Sequence, residues 1–404
     1  MPTGLQIPYR RERWLVSAAD ALTFPLRLRP RPRGGVPSRI LLLRLERIGD
    51  LLMVVDAIAD LRAALPDAAI DLAVGGWNRD LAALIPGIRQ LQVLDVPWLA
   101  RDGGGDSTAT LVRRARAWRG QYDLVVNFEP DIRSNALAWL SGARRRFGYW
   151  TGGGGSFLTD RLAYEPGEHV ADNAARLVAT VLERSHVAPV PFPAASWPRL
   201  RPPPEALARA AALLVSGPGP TAQGRSQNAT APRIGVHVSG GRESKQWHLD
   251  RFAAVAAELA RRHHATIVLT GSTADRPMVD TVKRSLAGVP LVDAAGAFDL
   301  PTLAALLASL DLLVTADTGP MHLAAAMGTP VVALFGPSDP RRYGPRGSPH
   351  RVLRVDLWCS PCGQVRLPPV RCRGHVPECM DGIDVARVVH AAGELLEPDP
   401  TTAI

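Results

Sequence analysis

Ala316-Asp317-Thr318-Gly319-Pro320-Met321-His322-Leu323-Ala324-Ala325-Ala326-Met327-Gly328-Thr329-Pro330 lies between two apolar runs, Leu310-Asp311-Leu312-Leu313-Val314-Thr315 before it and Val331-Val332-Ala333-Leu334-Phe335 after it. Each run is short, rich in branched residues and without helical periodicity, and reads as a buried strand. The spacing between them predicts a helix. Asp317 or Thr318 can cap it, Pro320 suits its first turn, and Gly328 ends it. The unit is strand, helix, strand with very little loop, and the alanines at 324 to 326 let the helix lie close on the sheet. Its first turn is expected to leave the backbone N–H groups of Gly319, Met321 and His322 without intrahelical partners, an end that attracts an anion such as a diphosphate. A helix start of this kind can equally bind nothing. His322 either hydrogen-bonds a phosphate or packs behind the helix, and Asp317 either caps it or sets the geometry of the phosphate loop.

Upstream, Arg233-Ile234-Gly235-Val236-His237-Val238 reads as another strand running into Ser239-Gly240-Gly241-Arg242-Glu243-Ser244-Lys245-Gln246-Trp247. A strand that ends in a glycine-rich basic loop is a second phosphate-binding arrangement. Backbone N–H groups at Ser239 and Gly240 come close, and Lys245 supplies a point charge. A solvated surface lysine is the alternative. The strand Thr266 to Thr270 then leads into Gly271-Ser272-Thr273-Ala274-Asp275.

The first half has the same organisation. Ile40-Leu41-Leu42-Leu43-Arg44-Leu45 reads as a buried strand, Glu46 to Gly49 as a tight turn, and Leu51 to Leu65 as a helix closed by Pro66. Asp50 stands at the junction, where the carboxyl ends of parallel strands open on a ligand crevice; it is either an N-cap or a carboxylate serving that crevice. Strands at 69–74, 91–95 and 122–127 alternate with helices and specify a parallel sheet. No G-x-G-x-x-G follows the first strand, which argues against a nicotinamide dehydrogenase. Arg144 to Arg146 read as a basic surface turn, solvated or set against acceptor phosphates, and Gly152 to Gly155 as a flexible loop. His169 precedes a helix.

Two of these strings carry a family likeness. Asp317 to Pro330, continued by Val331-Val332-Ala333-Leu334-Phe335-Gly336-Pro337-Ser338-Asp339-Pro340, resembles the nucleotide-sugar segment of glycosyltransferase family 9, the heptosyltransferases. Arg39-Ile40-Leu41-Leu42-Leu43-Arg44-Leu45-Glu46-Arg47-Ile48-Gly49-Asp50-Leu51-Leu52 is similar to that family's N-terminal signature, and the resemblance spans residues 39 to 390. It implies an α/β fold of the GT-B type, two Rossmann-like domains with parallel sheets facing across a cleft. It implies Asp50 as the general base that takes the acceptor hydroxyl's proton, Lys245 as the leaving-group contact and Asp275 as the ribose-binding acid. Ser239, Gly240, Asp317, Thr318, Gly319, Met321 and His322 would hold the nucleotide sugar. The implied reaction is one in-line displacement inverting the anomeric centre, from ADP-heptose to lipopolysaccharide core or another cell-envelope glycan. No cofactor is required for catalysis, because an ammonium and a helix dipole can stabilise the departing diphosphate. Family members often carry Asp and Gln near the positions of Asn127 and Glu129, a departure that bears on the acceptor. A protein acceptor and a non-catalytic nucleotide-sugar-binding module remain open alternatives.

Cys359-x2-Cys362-x9-Cys372-x6-Cys379 gathers all four cysteines within 21 residues. The spacing suits either a structural Zn or Fe site or free or paired thiols, and four thiolates would leave a metal no open position for catalysis. Similar clusters occur in protein-modifying relatives of the resembled family, where the site holds iron.

The chain has 404 residues, 46% of them hydrophobic, enough for two cores of roughly 150 to 200 residues each. The net charge is +9, and residues 1–39 hold eight arginines against Glu12 and Asp20. The excess is thus a feature of the front end rather than a nucleic-acid-binding surface. Residues 9–33 mix Tyr9, Trp14, Leu15, Leu22 and Phe24 with arginines, which reads as a segment for an anionic membrane surface or as a solvated arm. No run of 18 apolar residues occurs, so a cytoplasmic protein, in peripheral contact with the inner face of the membrane, is expected. The expected organisation is an arm at 1–38, an acceptor domain at 39–190 and a proline-rich linker and loop at 191–232, with Gly217 to Ala231 least ordered. A nucleotide-sugar domain at 233–380 and a C-terminal helix and tail at 381–404 complete it.

Overall fold

The computed structural model describes residues 5–7, 9–28, 34–100, 103–190, 199–216 and 231–397. The linker at 191–198, the loop at 217–230 and Arg29, Arg31 and Arg33 of the arm lie outside the described residues. The chain divides into two compact units, Met1–Ser196 and Trp197–Ile404.

Each unit is built on a six-stranded sheet whose described pairings are all parallel. The first contains β1 (Arg39–Leu43), β2 (Ala69–Val74), β3 (Gln90–Val93), β4 (Leu124–Asn127), β5 (Arg145–Tyr149) and β6 (Asp160–Leu162), in the order β3-β2-β1-β4-β5-β6. The second contains β7 (Arg233–His237), β8 (Thr266–Thr270), β9 (Leu291–Asp293), β10 (Leu312–Ala316), β11 (Val331–Leu334) and β12 (His350–Leu353), in the order β12-β11-β10-β7-β8-β9. Both orders are the doubly wound 3-2-1-4-5-6 arrangement, read from opposite edges. β1 lies beside β4, with Leu41 opposite Val125, and β7 beside β10, with Val236 opposite Val314. At each of these pairs the strand order reverses and the flanking connections part.

The central strands are buried because helices cover both faces of a parallel sheet. Ile40 to Leu43 and Leu312 to Val314 are wholly inaccessible. In the C-terminal unit Trp247 is also fully buried, meets Phe252 edge-on at 4.9 Å and donates from Nε1 to the carbonyl of Ile383 at 3.1 Å. This bond ties the loop after β7 to the turn before the last helix, Val385–Leu396, which packs on the helix Leu249–His263.

Two expectations for the N-terminal unit are corrected. Arg145 and Arg146 are not a surface turn. They begin β5, where the Arg145 guanidinium donates to Gly35 O at 3.0 Å and Ser185 Oγ at 2.9 Å, and Arg146 Nε donates to Phe157 O at 2.7 Å. Gly152 to Gly155 is a packed turn rather than a loose one. A Cβ at Gly152 would fall 1.7 Å from Pro130 O, and Gly153 and Gly154 take φ of +93° and +71°. His169 is the N-cap of the helix Val170–Arg184, its Nδ1 accepting the Ala171 N–H at 3.0 Å. The arm forms a helix, Arg10–Thr23, attached through buried Val16 and through Asp20, whose carboxylate accepts the Gly154 N–H at 2.8 Å.

Trp247→Ala is expected to destabilise the C-terminal unit by about 3–5 kcal/mol, the range for removing a buried aromatic side chain. Urea unfolding curves of the two proteins check this; a loss below about 1 kcal/mol would mean that the indole does not hold this core together.

Candidate active site

In the N-terminal unit the site residues follow the two central strands. The helix after β1 starts at Ile48, earlier than expected, stops at Leu52 and resumes as Val55–Ala64. Asp50 is therefore not an N-cap but the third residue of the first turn. Its Oδ2 reaches back to accept the Arg47 N–H at 3.2 Å, satisfying a donor the helix start would otherwise leave open. Its Oδ1 lies 3.6 Å from Arg44 Nη2, and the side chain remains 29% exposed, so a hydroxyl can approach it.

Arg44 and Glu129 sit just past the ends of β1 and β4, and both are buried. Arg44 donates from Nη1 to Phe128 O at 2.9 Å and from Nε to Asp50 O at 3.0 Å, and Nη1 lies 2.8 Å from Glu46 Oε2. Glu129 Oε1 accepts the N–H groups of Leu45 and, at 3.0 Å, Glu46. Burial would lower the Arg44 pKa, but the carboxyls of Glu46, Asp50 and Glu129 outweigh it and hold the guanidinium above its ordinary value. Burial pushes the Glu129 carboxyl up to about 7, with Arg44 acting against it, and pushes Glu46 upward as well. Sequence reasoning passed over Arg44 and Glu46 and took Glu129 only as a departure from the family pattern. The available signal was a carboxyl placed two residues beyond the strand that pairs with β1.

In the C-terminal unit the two candidate phosphate loops adjoin. Lys245 closes a 3-10 turn, Glu243–Lys245, and its Nζ donates to the main-chain carbonyl of Asp317 and to Asp317 Oδ2 at 3.2 Å. Neither side chain is more than 16% exposed, so this is a held contact rather than a solvated surface lysine. Gly240 permits it: a Cβ there would lie 2.6 Å from the backbone of Lys245 and Gln246. Its N–H donates to Gln246 Oε1 at 2.8 Å. Gly241, at φ +67°, comes up against Thr318, 4.0 Å from a built Cβ to Cγ2.

Thr318 is the N-cap of the helix Gly319–Ala326 but makes no side-chain cap bond; its Oγ1 lies 3.1 Å from Thr315 Oγ1. With the cap at 318, the donors left without intrahelical partners are the N–H groups of Thr318, Gly319 and Met321, since Pro320 has none. The His322 N–H falls to the Thr318 carbonyl, which corrects the expected set by one position. The Met321 side chain is wholly buried, so only its backbone serves a ligand. The His322 ring is nearly buried, with Nε2 4.0 Å from Asp317 Oδ1. Asp317 therefore joins the lysine to the helix start and does not cap it.

Asp275 accepts from the Ser272 N–H at 2.8 Å and the Ser272 hydroxyl at 2.6 Å. Burial pushes its carboxyl up, but these bonds and one from Ser239 hold it below the usual range. His237, at the end of β7, is buried beside Thr270, with Nδ1 3.1 Å from Oγ1; burial lowers its pKa to about 4. Ser239 and Asp275 are thus brought together, as are Lys245, Asp317 and His322.

The structure does not support the expected structural metal at the cysteine cluster. All four thiols are free, with Cys362 exposed and Cys379 buried. Among the described residues no three His, Cys, Asp or Glu side chains are gathered to hold an ion. Cys379, in the short helix Glu378–Asp381, packs against Gly336, and Cys359, Cys362 and Cys372 lie near enough to add to the burial that raises its thiol.

Two doubly wound α/β units, one ending its central strands in a carboxylate and the other in a lysine-bridged helix start, define the GT-B class of glycosyltransferases. The chain belongs to glycosyltransferase family 9 (heptosyltransferase), whose family model matches residues 111–367, more than half its length. It is a glycosyltransferase enzyme. It is similar to lipooligosaccharide heptosyltransferase 2 of Haemophilus influenzae, 25% identical over 78% of this chain and 88% of that protein. Among solved structures it resembles the family 9 glycosyl transferase of Veillonella parvula, with TM-score 0.70 and 26% identity over 89% of this chain and 97% of that one. It also resembles E. coli ADP-heptose lps heptosyltransferase II, with TM-score 0.68 and 20% identity over 89% and 98% of the two chains.

Gly240→Ala is expected to cost about 1–3 kcal/mol by overpacking and to weaken ADP binding by displacing Lys245. Calorimetric unfolding with and without ADP reads both effects, and an alanine variant as stable as the parent would sink the close approach. Thiol labelling is expected to modify Cys362 first and Cys379 last, because burial pushes the Cys379 thiol up to about 11. Mass spectrometry of partly labelled protein checks the order.

Proposed function

We propose that this chain moves a heptose from ADP-heptose to lipopolysaccharide core, or to another cell-envelope glycan, by one displacement that inverts the anomeric centre. The observation that carries the reading is the Lys245 ammonium, held by Asp317 at the start of the helix Gly319–Ala326. As the bond between the anomeric carbon and the diphosphate oxygen breaks, negative charge grows on the departing ADP. A fixed ammonium and the open N–H groups of Thr318, Gly319 and Met321 stabilise that charge without reorganising. Asp275, held by Ser272 and Ser239, is assigned to the ribose hydroxyls and Ser239 to the diphosphate, while Gly240, its N–H committed to Gln246 Oε1, serves by admitting the Lys245 turn. Asp50 takes the proton of the acceptor hydroxyl as its oxygen forms the new bond to the anomeric carbon. The names of the similar proteins, which transfer heptose to lipooligosaccharide or lipopolysaccharide, support donor and acceptor. Every step of this reading is carried by side chains and backbone of the chain itself.

The arm supports a cytoplasmic enzyme working against an anionic membrane surface. The helix Arg10–Thr23 buries Val16 and turns Trp14, Leu15 and Leu22 outward beside Arg10 and Arg11. Aromatic and aliphatic side chains interleaved with arginine are what an interfacial helix offers to acidic lipid. No helix among the described residues is long and apolar enough to cross a membrane.

Purified protein is expected to release ADP from ADP-heptose, in preference to hydrolysing GDP- or UDP-sugars, when core lipid is supplied. Candidate protein acceptors offered in the same assay are expected to remain unmodified. Asp50→Asn should lower kcat by roughly 10²- to 10⁴-fold with donor affinity retained, and Lys245→Met by roughly 10²- to 10³-fold. An Asp50→Asn enzyme that turns over normally would remove the base assignment. In flotation, the protein should rise with vesicles containing phosphatidylglycerol and remain behind with phosphatidylcholine alone, and Trp14→Glu with Leu15→Glu should abolish the difference.

A further inference from the structure

We infer that Arg44 and Glu129 are positioning residues for Asp50, Glu129 holding the Leu45–Glu46 turn from beneath while Arg44 clamps both the backbone and the carboxylate of Asp50. The inference rests on Asp50 being the base and goes beyond it, since neither residue meets substrate. The geometry carries it. Two buried residues, each just past one of the paired central strands, converge on the turn that launches the helix of Asp50. Glu129 spends one oxygen, Oε1, on the N–H groups of Leu45 and Glu46. Arg44 Nε takes the Asp50 carbonyl at 3.0 Å, and Nη2 faces Asp50 Oδ1 at 3.6 Å. The other bonds to this turn, from Trp77 Nε1 at 2.8 Å and Asn78 Nδ2 at 2.7 Å, end on the Glu46 carbonyl, whereas Arg44 reaches both the backbone and the carboxylate of Asp50 itself.

The charges make the pair responsive to pH. Arg44 meets Glu46 from the turn, Asp50 from the helix, Glu129 from beyond β4 and Tyr164 from beyond β6. Glu129 meets Arg44 and also Asp131, which caps the helix Ile132–Leu140 and is itself paired with Arg133 at 2.6 Å. With Glu129 protonated, the guanidinium has one carboxylate fewer to serve, and Glu46, which burial raises to about 8, holds its own proton as well. Once Glu129 ionises, its carboxylate competes with Asp50 for the guanidinium, which leaves the Asp50 side chain freer to turn toward an acceptor hydroxyl. Because burial raises the folded-state pKa of Glu129 from 4.5 to about 7, its contribution to stability is fully present below pH 4.5 and is lost as pH rises through 7. Turnover changes in the opposite sense over the same interval.

Glu129→Gln separates the two roles, since the amide oxygen still accepts both N–H groups but cannot ionise. The variant is expected to fold, to show a shallower decline in Tm between pH 4.5 and 7, since only the part due to Glu46 remains, and to show a kcat–pH profile without a step near 7, with the KM for ADP-heptose unchanged. Glu129→Ala and Arg44→Lys, which break the positioning bonds, should lower kcat by roughly 10²-fold at every pH, and Gln at 129 should restore the acidic-limb rate that Ala loses. A Glu129→Gln enzyme with the parental kcat–pH profile overturns the pH response, and Glu129→Ala and Arg44→Lys enzymes with parental kcat, while Asp50→Asn is inactive, overturn the positioning role and leave the base assignment standing. Full turnover by Asp50→Asn overturns the base assignment and this inference with it.

Discussion

A strand buried on both faces can carry charge only beyond its last residue. That constraint governs both halves of this protein. Ile40 to Leu43 and Leu312 to Val314 admit no water and no polar side chain of consequence, so every group able to do chemistry is pushed to the carboxyl ends, where the backbone leaves the sheet. Strand order then decides which ends matter. Because β1 adjoins β4 and β7 adjoins β10, the loops after these pairs part from one another and leave room between them. Arg44, Asp50 and Glu129 occupy one such place, and Lys245, Asp317 and Thr318 the other.

The two places solve opposite electrostatic problems with the same means, a buried ion held by several partners. In the C-terminal unit an ammonium is seated on a carbonyl and a carboxylate at the positive end of a helix, which leaves the region around the helix start hospitable to an anion. In the N-terminal unit a guanidinium is shared among three carboxyls, more acid than it can neutralise, and burial pushes the carboxyls of Glu46 and Glu129 upward. A carboxylate left partly exposed beside a buried guanidinium is suited to drawing a proton from an alcohol.

Glycine has a narrow use here. Gly240 is required because the main chain of Lys245 and Gln246 passes where a Cβ would be, and Gly152 because Pro130 does. In each case the glycine brings two stretches of chain into contact: the phosphate loop with its lysine turn, and the β5 turn with the segment that carries Glu129.

Local pattern alone determined the two-fold α/β organisation, the strand–helix–strand unit around Asp317 and the residues of both glycine-rich turns, because these depend on periodicity, caps and breakers that neighbours in sequence supply. It also supplied the family likeness, since the Asp50 and Asp317 strings are contiguous. Tertiary structure decided what contiguity cannot express. Lys245 rests on Asp317 because β7 and β10 pair, though 72 residues separate them. Glu129 supports the turn before Asp50 because β4 pairs with β1, and Arg145 is a buried strand residue because Gly35 and Ser185 fold over it. The cysteines, close in sequence, differ in exposure, with Cys379 buried and Cys362 on the surface. Spacing along a chain shows which groups can meet; pairing of strands distant in sequence determines which of them do.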